Sequence, residues 1–228
     1  MKKLMSRSSA FAVLLAILIQ LTLGSKPTQA LVGMGPDAKK DIQDVKLSEL
    51  VKIDESTPSL PRLTQGLRSK KVVFAWFSVY VAQVFSSNAK PDFSSIVKLK
   101  ESLTKGLPVV VSMTFVRSVD IGKIVDGFEE GFKENAMDAI KPPYSDFLAA
   151  IKKSGDVKDR QKFFFTFLSS GPTTGEKRSL SVETNGKEIF SLKDQTPESV
   201  NSFFNIWLGK PSDSGLEKLQ EAFLKPEL

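Results

Sequence analysis

The sequence contains no cysteine and no histidine among its 228 residues. The absence of cysteine excludes disulfide bonds, thiol catalysis and an acylated N-terminal cysteine. The absence of histidine removes the usual general base and the commonest metal ligand, so we expect no metal site and no cofactor. An enzyme built from this chain would have to work with Arg, Lys, Tyr, Asp or Glu.

The first 30 residues have the pattern of a secretory signal. Three basic residues (Lys2, Lys3 and Arg7) precede an apolar run, and small residues ending at Ala30 form a cleavage site. We expect cleavage near Ala30 and a periplasmic or secreted protein, because a disulfide-free exported chain suits a bacterial periplasm. The alternative is an uncleaved membrane anchor. Cleavage would limit membrane contact to the signal itself.

Removal of this leader also changes the charge of the protein. The whole chain has 32 basic and 26 acidic residues, and four of the basic residues lie in residues 1–30. The remaining 198 residues therefore carry 28 basic and 26 acidic side chains, a net charge of +2. Such a balance predicts no nucleic-acid partner. About two hundred residues can form one domain with one core.

The longest strand-like stretch covers residues 66–85. A basic turn over residues 66–68 precedes an alternating pattern, which predicts one strand over residues 70–85. Counting by twos puts polar and large apolar groups on one face: Arg68, Lys70, Val72, Phe74, Trp76, Ser78 and Tyr80. This face would line a pocket if the protein has one, with Val72, Phe74 and Trp76 as its apolar wall.

The other elements alternate between helices and strands, with a hairpin near the end. Helices are predicted over residues 92–105 with Asp92 as N-cap, over 121–140 with Asp120 as N-cap, over 144–155, from Thr196 to Gly209 and over 213–224. Strands are predicted over residues 108–117 and 162–170, and a hairpin over 178–192 turns at Asn185–Gly186. This order indicates an α+β fold with a largely antiparallel sheet covered by helices on one face. Residues 31–61 form an N-terminal extension or an edge segment, so the second face is either exposed or covered by them.

Two glycines lie four residues apart in the predicted helix over residues 121–140. Gly127 and Gly131 each cost about 1 kcal/mol relative to alanine in a helix interior. Close approach to a sheet or a ligand would explain them, and so would chance.

Four stretches in order resemble the chalcone isomerase-like proteins, in particular their bacterial exported branch. They are GLRSKKVVFAWFSVYVAQVF, MTFVRSVDIGKIVDGFEEGF, the segment from KKSGDVKDRQKFFFTF to VETNGKEIF, and NIWLGKPSDSGLEKLQEAFL. The resemblance covers roughly residues 62–225, and we assign residues 62–228 to this domain. It implies an open-faced β-sandwich, a large antiparallel sheet covered by helices, with a ligand cleft between the two layers.

The resemblance also implies roles for single residues. The family's arginine before the long strand matches Arg68, and the position that is Thr in the isomerases and Tyr in the fatty-acid binders matches Tyr80. The isomerase motif Tyr-x-x-Lys-x-x-x-Asn falls on Phe128, Gly131 and Asn135, so its Tyr and Lys are missing. We therefore expect a non-catalytic protein that binds a small amphipathic carboxylate, such as a fatty acid, through Arg68, Tyr80, Trp76 and Asn135.

Two other functions stay open at this point. The first is an isomerase or intramolecular lyase that uses Arg68 and Tyr80 as electrophilic donors. The second is a periplasmic interaction module without a small ligand. Each residue also has an ordinary structural explanation: a solvated Arg68, a core Tyr80 or Trp76, and an Asn135 on a helix surface.

Overall fold

The computed structural model describes residues 32–55, 57–88, 90–170 and 176–225. Its strands are β1 (Gly33–Met34), β2 (Asp37–Ile42), β3 (Val45–Ser48), β4 (Leu50–Lys52), β5 (Leu60–Val72), β6 (Ala75–Ser86), β7 (Val109–Phe115), β8 (Lys162–Ser170), β9 (Lys177–Thr184) and β10 (Lys187–Gln195). Its helices are α1 (Ile96–Lys105), α2 (Ile121–Glu134), α3 (Tyr144–Lys153), α4 (Pro197–Asn201), α5 (Asn205–Leu208) and α6 (Ser214–Phe223), with a 3-10 turn at Ser202–Phe204 between α4 and α5. The predicted leader, residues 1–30, lies outside the described residues.

One large sheet organises the fold. Eight strands are paired in the order β1-β4-β5-β6-β7-β8-β9-β10, and every neighbouring pair is antiparallel. The helices pack on one face of this sheet, which confirms the predicted α+β architecture. The hairpin between β9 and β10 turns at Asn185 and Gly186, both at positive φ as this turn requires.

The predicted long strand over residues 70–85 is wrong in one respect, because the chain turns back within it. β5 and β6 form a hairpin whose two-residue turn is Val73–Phe74, with Val72 paired to Ala75. The expected turn at residues 66–68 lies inside β5 instead. Gly66 serves packing there, since an added Cβ would lie 2.7 Å from Leu219 Cδ1 in α6. Neither Val73 nor Phe74 is a turn-forming residue, so the sequence gives no local signal for this hairpin.

The helical layer buries an aromatic core against the sheet. Phe128 in α2 meets Phe147 in α3 edge-on, with ring centroids 5.1 Å apart, and Phe165 in β8 meets Trp207 in α5 at 4.8 Å. Each fully buried aromatic side chain contributes about 1.5–3 kcal/mol by leaving water. Helix α2 begins at its predicted N-cap, Asp120.

Two of the predicted helix boundaries are wrong. Helix α1 begins after Ser95, whose hydroxyl accepts a hydrogen bond from the Lys98 N–H, and not after Asp92. Helix α2 ends at Glu134 and does not continue to residue 140, because Ala136 has a positive φ of 54°. Ile140 consequently leaves the apolar stripe and is 82% exposed.

The N-terminal segment covers the second face of the sheet, which is one of the two alternatives left open by the sequence. β2 and β3 form a separate two-stranded sheet, and Val45 and Leu47 in β3 pack on Val81 in β6. The backbone N–H of Ser48 donates to Gln83 Oε1 at 2.8 Å, a buried contact between the two layers. β1 and β4 extend the edge of the large sheet beside β5.

Candidate functional site

A groove lies between the β5–β6 hairpin and helix α2. Its inner section has a free volume of about 90 Å³ and its outer section one of about 320 Å³. Four residues line both sections, so the two adjoin: Lys70, Val79, Lys123 and Ile124. The inner section is also lined by Arg68, Tyr80, Met113, Gly127, Phe128, Gly131, Ile206, Ser212 and Leu216, and the outer section by Val72, Phe77, Arg117, Ser118, Val119 and Asp120.

The charged side chains of the groove are mostly basic. Arg68, Lys70 and Lys123 line the inner section, and no carboxylate is among its lining residues in the described part of the chain. The outer section adds Arg117 and one acid, Asp120, whose carboxylate accepts hydrogen bonds from the backbone N–H groups of Gly122 and Lys123 in α2. The groove therefore combines an apolar wall with an excess of positive charge.

Arg68 and Tyr80 meet at the inner end of the groove. They are direct partners across the β5–β6 ladder, so their side chains share the face that supports the helices. The sequence-based prediction that both residues face the same way is therefore confirmed, although they belong to two strands and not to one. A bulge follows this pair, where Ser69 pairs with Ser78, and it turns Val79 toward the groove as well.

The Arg68 guanidinium is held in place by two hydrogen bonds. Its Nη2 donates to Asp213 Oδ2 at 2.6 Å, and its Nη1 donates to the backbone carbonyl of Ser69. The two charged side chains are 12% and 25% exposed, respectively. Arginine has five N–H donors, so these two contacts leave others for a further acceptor.

Asp213 also begins helix α6. Its carboxylate accepts hydrogen bonds from the backbone N–H groups of Gly215 at 2.8 Å and Leu216 at 2.9 Å. Burial acts to raise the pKa of Asp213, but the hydrogen bonds from Arg68 and these two amides outweigh it and hold the pKa below its usual value. An added Cβ at Gly215 would lie 1.6 Å from the Ser69 carbonyl oxygen, so the ion pair depends on a residue without a side chain there.

Tyr80 is buried and stays neutral at all physiological pH values. Burial raises the pKa of Tyr80 to about 12, while the nearby Arg68 guanidinium and Trp207 indole N–H lower it to a smaller extent. Trp207 Nε1 has no hydrogen bond of good geometry among the described residues. The phenol is therefore a neutral donor beside a fixed cation.

Helix α2 leaves open space over the groove at its two interior glycines. A Cβ added at Gly127 or Gly131 would meet no described atom within 4 Å, although both residues line the inner section. Close packing of the helix on the sheet therefore does not explain them. Phe128, between them, supplies an apolar wall where the isomerases have a tyrosine.

Two of the predicted binding residues do not line the groove. Trp76 is 41% exposed, and its ring lies under the Lys218 ammonium at 3.7 Å. Asn135 is the C-cap of α2, where its Nδ2 donates to the Gly131 carbonyl at 2.9 Å and its Oδ1 accepts from the Lys210 N–H at 2.7 Å. Of the predicted apolar wall, Val72 lines the outer section, whereas Phe74 lies at the hairpin turn and is 93% exposed.

Two residues of the site, one beside the groove and one in its lining, were not predicted from the sequence. Asp213 lies 145 positions from Arg68, and only its N-cap pattern before α6 is visible in the sequence. Lys123 has the spacing of a solvated helix residue, and only the position of α2 over the hairpin brings it to the groove.

The described residues contain no group of three or more His, Cys, Asp or Glu side chains arranged to hold a metal ion. They also contain no helix with the length and hydropathy needed to cross a bilayer.

Comparisons with known proteins agree with this architecture. The family model for chalcone isomerase-like proteins matches residues 39–224. The fold is similar to a solved structure of a fatty-acid binding protein from Arabidopsis thaliana, with a TM-score of 0.58 and 16% identity, covering 83% of this chain and 96% of that chain. No curated protein is significantly similar in sequence. Because the family model spans most of its length, the chain belongs to the chalcone isomerase-like family.

Proposed function

We propose that this protein binds an amphipathic carboxylate, such as a fatty acid, in the groove without converting it. The observation that carries the proposal is the apolar, net basic groove that ends at Arg68 and Tyr80. A carboxylate needs few partners, and a guanidinium with a neutral phenol provides them.

The head of the ligand occupies the inner section. Its carboxylate accepts hydrogen bonds from the free N–H donors of Arg68 and from the Tyr80 hydroxyl. Asp213 does not line this section, and its ion pair with Arg68 fixes the position of the guanidinium. Lys70 is paired with Glu130, so the ammonium group of Lys123 offsets the charge of Asp213 and makes a second anion favourable here.

The tail of the ligand extends toward the outer section. The inner section alone, at about 90 Å³, is smaller than sites for drug-sized ligands, which are roughly 300–1,000 Å³. The outer section adds about 320 Å³ and is lined by Val72, Phe77 and Val119. The two sections together suit a head group with a flexible apolar chain.

Two further observations support binding without catalysis. Phe128 and Gly131 stand where the isomerase motif has Tyr and Lys, so the groove lacks the hydroxyl and ammonium that this motif would place there. The Arabidopsis protein with the same fold is described as a fatty-acid binding protein. That likeness is an analogy of fold, and the site residues carry the argument.

A titration tests the proposal. The purified protein is stripped of lipid and titrated with the fluorescent fatty acid cis-parinarate and with oleate in vesicle-free solution. We expect binding by the wild type and a roughly ten- to hundredfold loss in Arg68→Gln, because a hydrogen bond to a charged group contributes about 1.5–3 kcal/mol. Arg160→Gln is the matched control and should bind as the wild type does, since Arg160 lines neither section of the groove.

Two results would contradict this site. One is equal affinity of the wild type and Arg68→Gln, and the other is binding by neither. Mass spectrometry of an organic extract of the purified protein then identifies any ligand retained from the cell, which the titration does not address.

We also propose that the protein is exported and that its leader is cleaved near Ala30. The basic start, the apolar run and the small residues before Leu31 support this. N-terminal sequencing of the protein recovered from its cells should find Leu31, or a residue close to it, as the first residue. An intact Met1 in the mature protein would contradict the proposal.

A further inference from the structure

The end of the β5–β6 hairpin projects beyond the rest of the sheet. β4 pairs with β5 only at Leu60 and Pro61, and β7 pairs with β6 only from Tyr80 onward. Residues 69–78, here called the hairpin arm, therefore pair only with each other within the described sheet. At about 3.3 Å per residue, the arm extends roughly 13 Å past the Arg68–Tyr80 pair.

The arm carries a contiguous set of exposed apolar side chains. Their exposed fractions are 51% for Val72, 76% for Val73, 93% for Phe74, 41% for Trp76 and 40% for Phe77. The other large apolar side chains exposed in the described residues (Val97, Ile140 and Leu168) are scattered over other elements. Contiguous exposed apolar groups mark interaction sites, whereas single ones do not.

The backbone conformation of the turn residue Val73 supports an interaction role for the hairpin arm. It has a φ of 55°, a conformation that is unfavourable for a β-branched residue and natural for Asn or Gly. A turn selected for stability alone would have one of those residues. The apolar side chain therefore comes with a cost in backbone strain, which favours contact with a partner surface.

Basic residues surround the apolar tip. Lys71 is paired with Trp76 across the arm, Lys218 lies 3.7 Å above the Trp76 ring, and the Arg117 guanidinium lies 5.3 Å above the Phe77 ring. Lys70 also lies in the arm, and of these four basic residues it is the one with an acidic partner in the described residues, Glu130 at 3.2 Å. Apolar and aromatic groups at a tip with basic groups behind them are the pattern of a segment that inserts into an anionic membrane surface.

We propose that the hairpin arm docks the protein on an anionic lipid bilayer, with Val73 and Phe74 inserted among the lipids and Lys71, Arg117 and Lys218 against the head groups. This goes beyond ligand binding, and it places membrane contact on the folded domain in addition to the leader. Because Val72 and Phe77 also line the outer section of the groove, docking puts the mouth of the groove at the bilayer. An amphipathic acid could then pass from lipid to groove without crossing water.

A local probe separates this contact from any contact made by the apolar N-terminal run of the full chain. In a Trp76→Phe background, where the buried Trp207 is the one remaining tryptophan and gives the baseline, a tryptophan is introduced by Phe74→Trp or, as a matched control, by Ile140→Trp, beyond the far end of α2. Vesicles of phosphatidylcholine and phosphatidylglycerol with brominated acyl chains should quench the tryptophan at 74 and not the one at 140. Equal quenching of both, or of neither, would overturn the proposal.

Affinity for the vesicles is then measured with variants of the tip. Phe74→Ser should weaken binding at least about tenfold, because one fewer aromatic side chain leaves water, whereas Ile140→Ser should bind as the wild type does. Val73→Asn should also weaken binding to the vesicles, although asparagine tolerates the positive φ of the turn better than valine does. Lys71→Gln should weaken binding about fivefold on anionic vesicles and not on phosphatidylcholine alone.

Two results would reject the membrane as the partner. Wild-type affinity in Phe74→Ser is one, and a concentration-dependent dimer that Phe74→Ser abolishes is the other, since it would assign the arm to a second copy of this chain. Binding of cis-parinarate in vesicle-free solution should not change in Phe74→Ser. Ligand binding and membrane docking can therefore fail separately.

Discussion

Under the proposed function, Arg68 suits a carboxylate ligand because Asp213 restrains it. A free arginine would lose rotamer freedom on binding a carboxylate, and the contacts to Asp213 and Ser69 have already fixed the guanidinium. The same ion pair joins β5 to the start of α6, so a single interaction orients the site and attaches the last helix. Tyr80 completes the arrangement as a donor that burial keeps protonated.

The raised pKa of Tyr80 gives a direct prediction. In a pH titration followed by tyrosinate absorbance, the part of the signal that Tyr80→Phe removes should appear near pH 12, well above the usual value of about 10. Because the unfolded chain ionises first, Tyr80 stabilises the fold below about pH 10, and this contribution is lost as the pH rises toward 12. A signal that appears near pH 10 would show that the phenol is not buried.

The lowered pKa of Asp213 predicts the opposite pH dependence. Asp213→Asn keeps an N-cap acceptor for α6 and removes the charge that faces Arg68, which should cost about 2 kcal/mol near neutral pH. The difference in Tm between wild type and variant should be constant above about pH 5 and shrink as the pH falls below about 4, through the lowered pKa. A difference that does not change with pH would exclude the charge as its cause.

At the scale of elements, helix α2 is less stable where it faces the groove, because it has two glycines there. Gly127 and Gly131 are helical, and no described atom prevents a side chain at either position. The open space they leave belongs to the inner section, which needs it if a ligand lies there. Under the proposed function the two glycines make room for the ligand, a role that the sequence alone could not distinguish from chance.

Substitutions at Gly131 separate stability from binding. Gly131→Ala should stabilise the protein by up to about 1 kcal/mol, because alanine is the better helix former and its Cβ meets nothing. Gly131→Leu should keep the fold but fill the inner section and weaken cis-parinarate binding at least about tenfold. Urea unfolding measures the first effect and titration the second, and unchanged binding by Gly131→Leu would place the ligand elsewhere.

The elements that were predicted correctly are those with local signals. Asn185–Gly186 marks its hairpin, and Asp120 and Thr196 mark the helices that follow them. The β5–β6 turn was missed because Val73 and Phe74 lack turn chemistry, and tertiary structure imposes the conformation.

The site was predicted in the same uneven way. Arg68 and Tyr80 were found through the family resemblance, and the ladder confirms that they face the same way. Trp76 was assigned from a single-strand alternation that the hairpin interrupts, and Asn135 from a motif whose other members are missing. Asp213 could not be found, because pairing between residues 145 positions apart leaves no pattern in one sequence.

At the scale of the whole molecule, the sheet is covered on both faces. Helices bury the face that carries the groove, and the β2–β3 hairpin buries the opposite face over β6. The central strand β7 is buried along its full length as a result. The family match begins at residue 39, within residues 31–61, which the sequence suggested were an extension or an edge segment.

Leu47 tests whether that segment is part of the folding unit. It is fully buried against Val81, so Leu47→Ala should cost about 2–5 kcal/mol, as a core truncation does. Val97→Ala, at a side chain that is 64% exposed, is the control and should have little effect. Because the segment covers the sheet and is not appended to it, urea should unfold Leu47→Ala in one transition with the wild-type slope at a lower midpoint. A separate early transition for the N-terminal residues would instead show that β2 and β3 unfold while the large sheet persists.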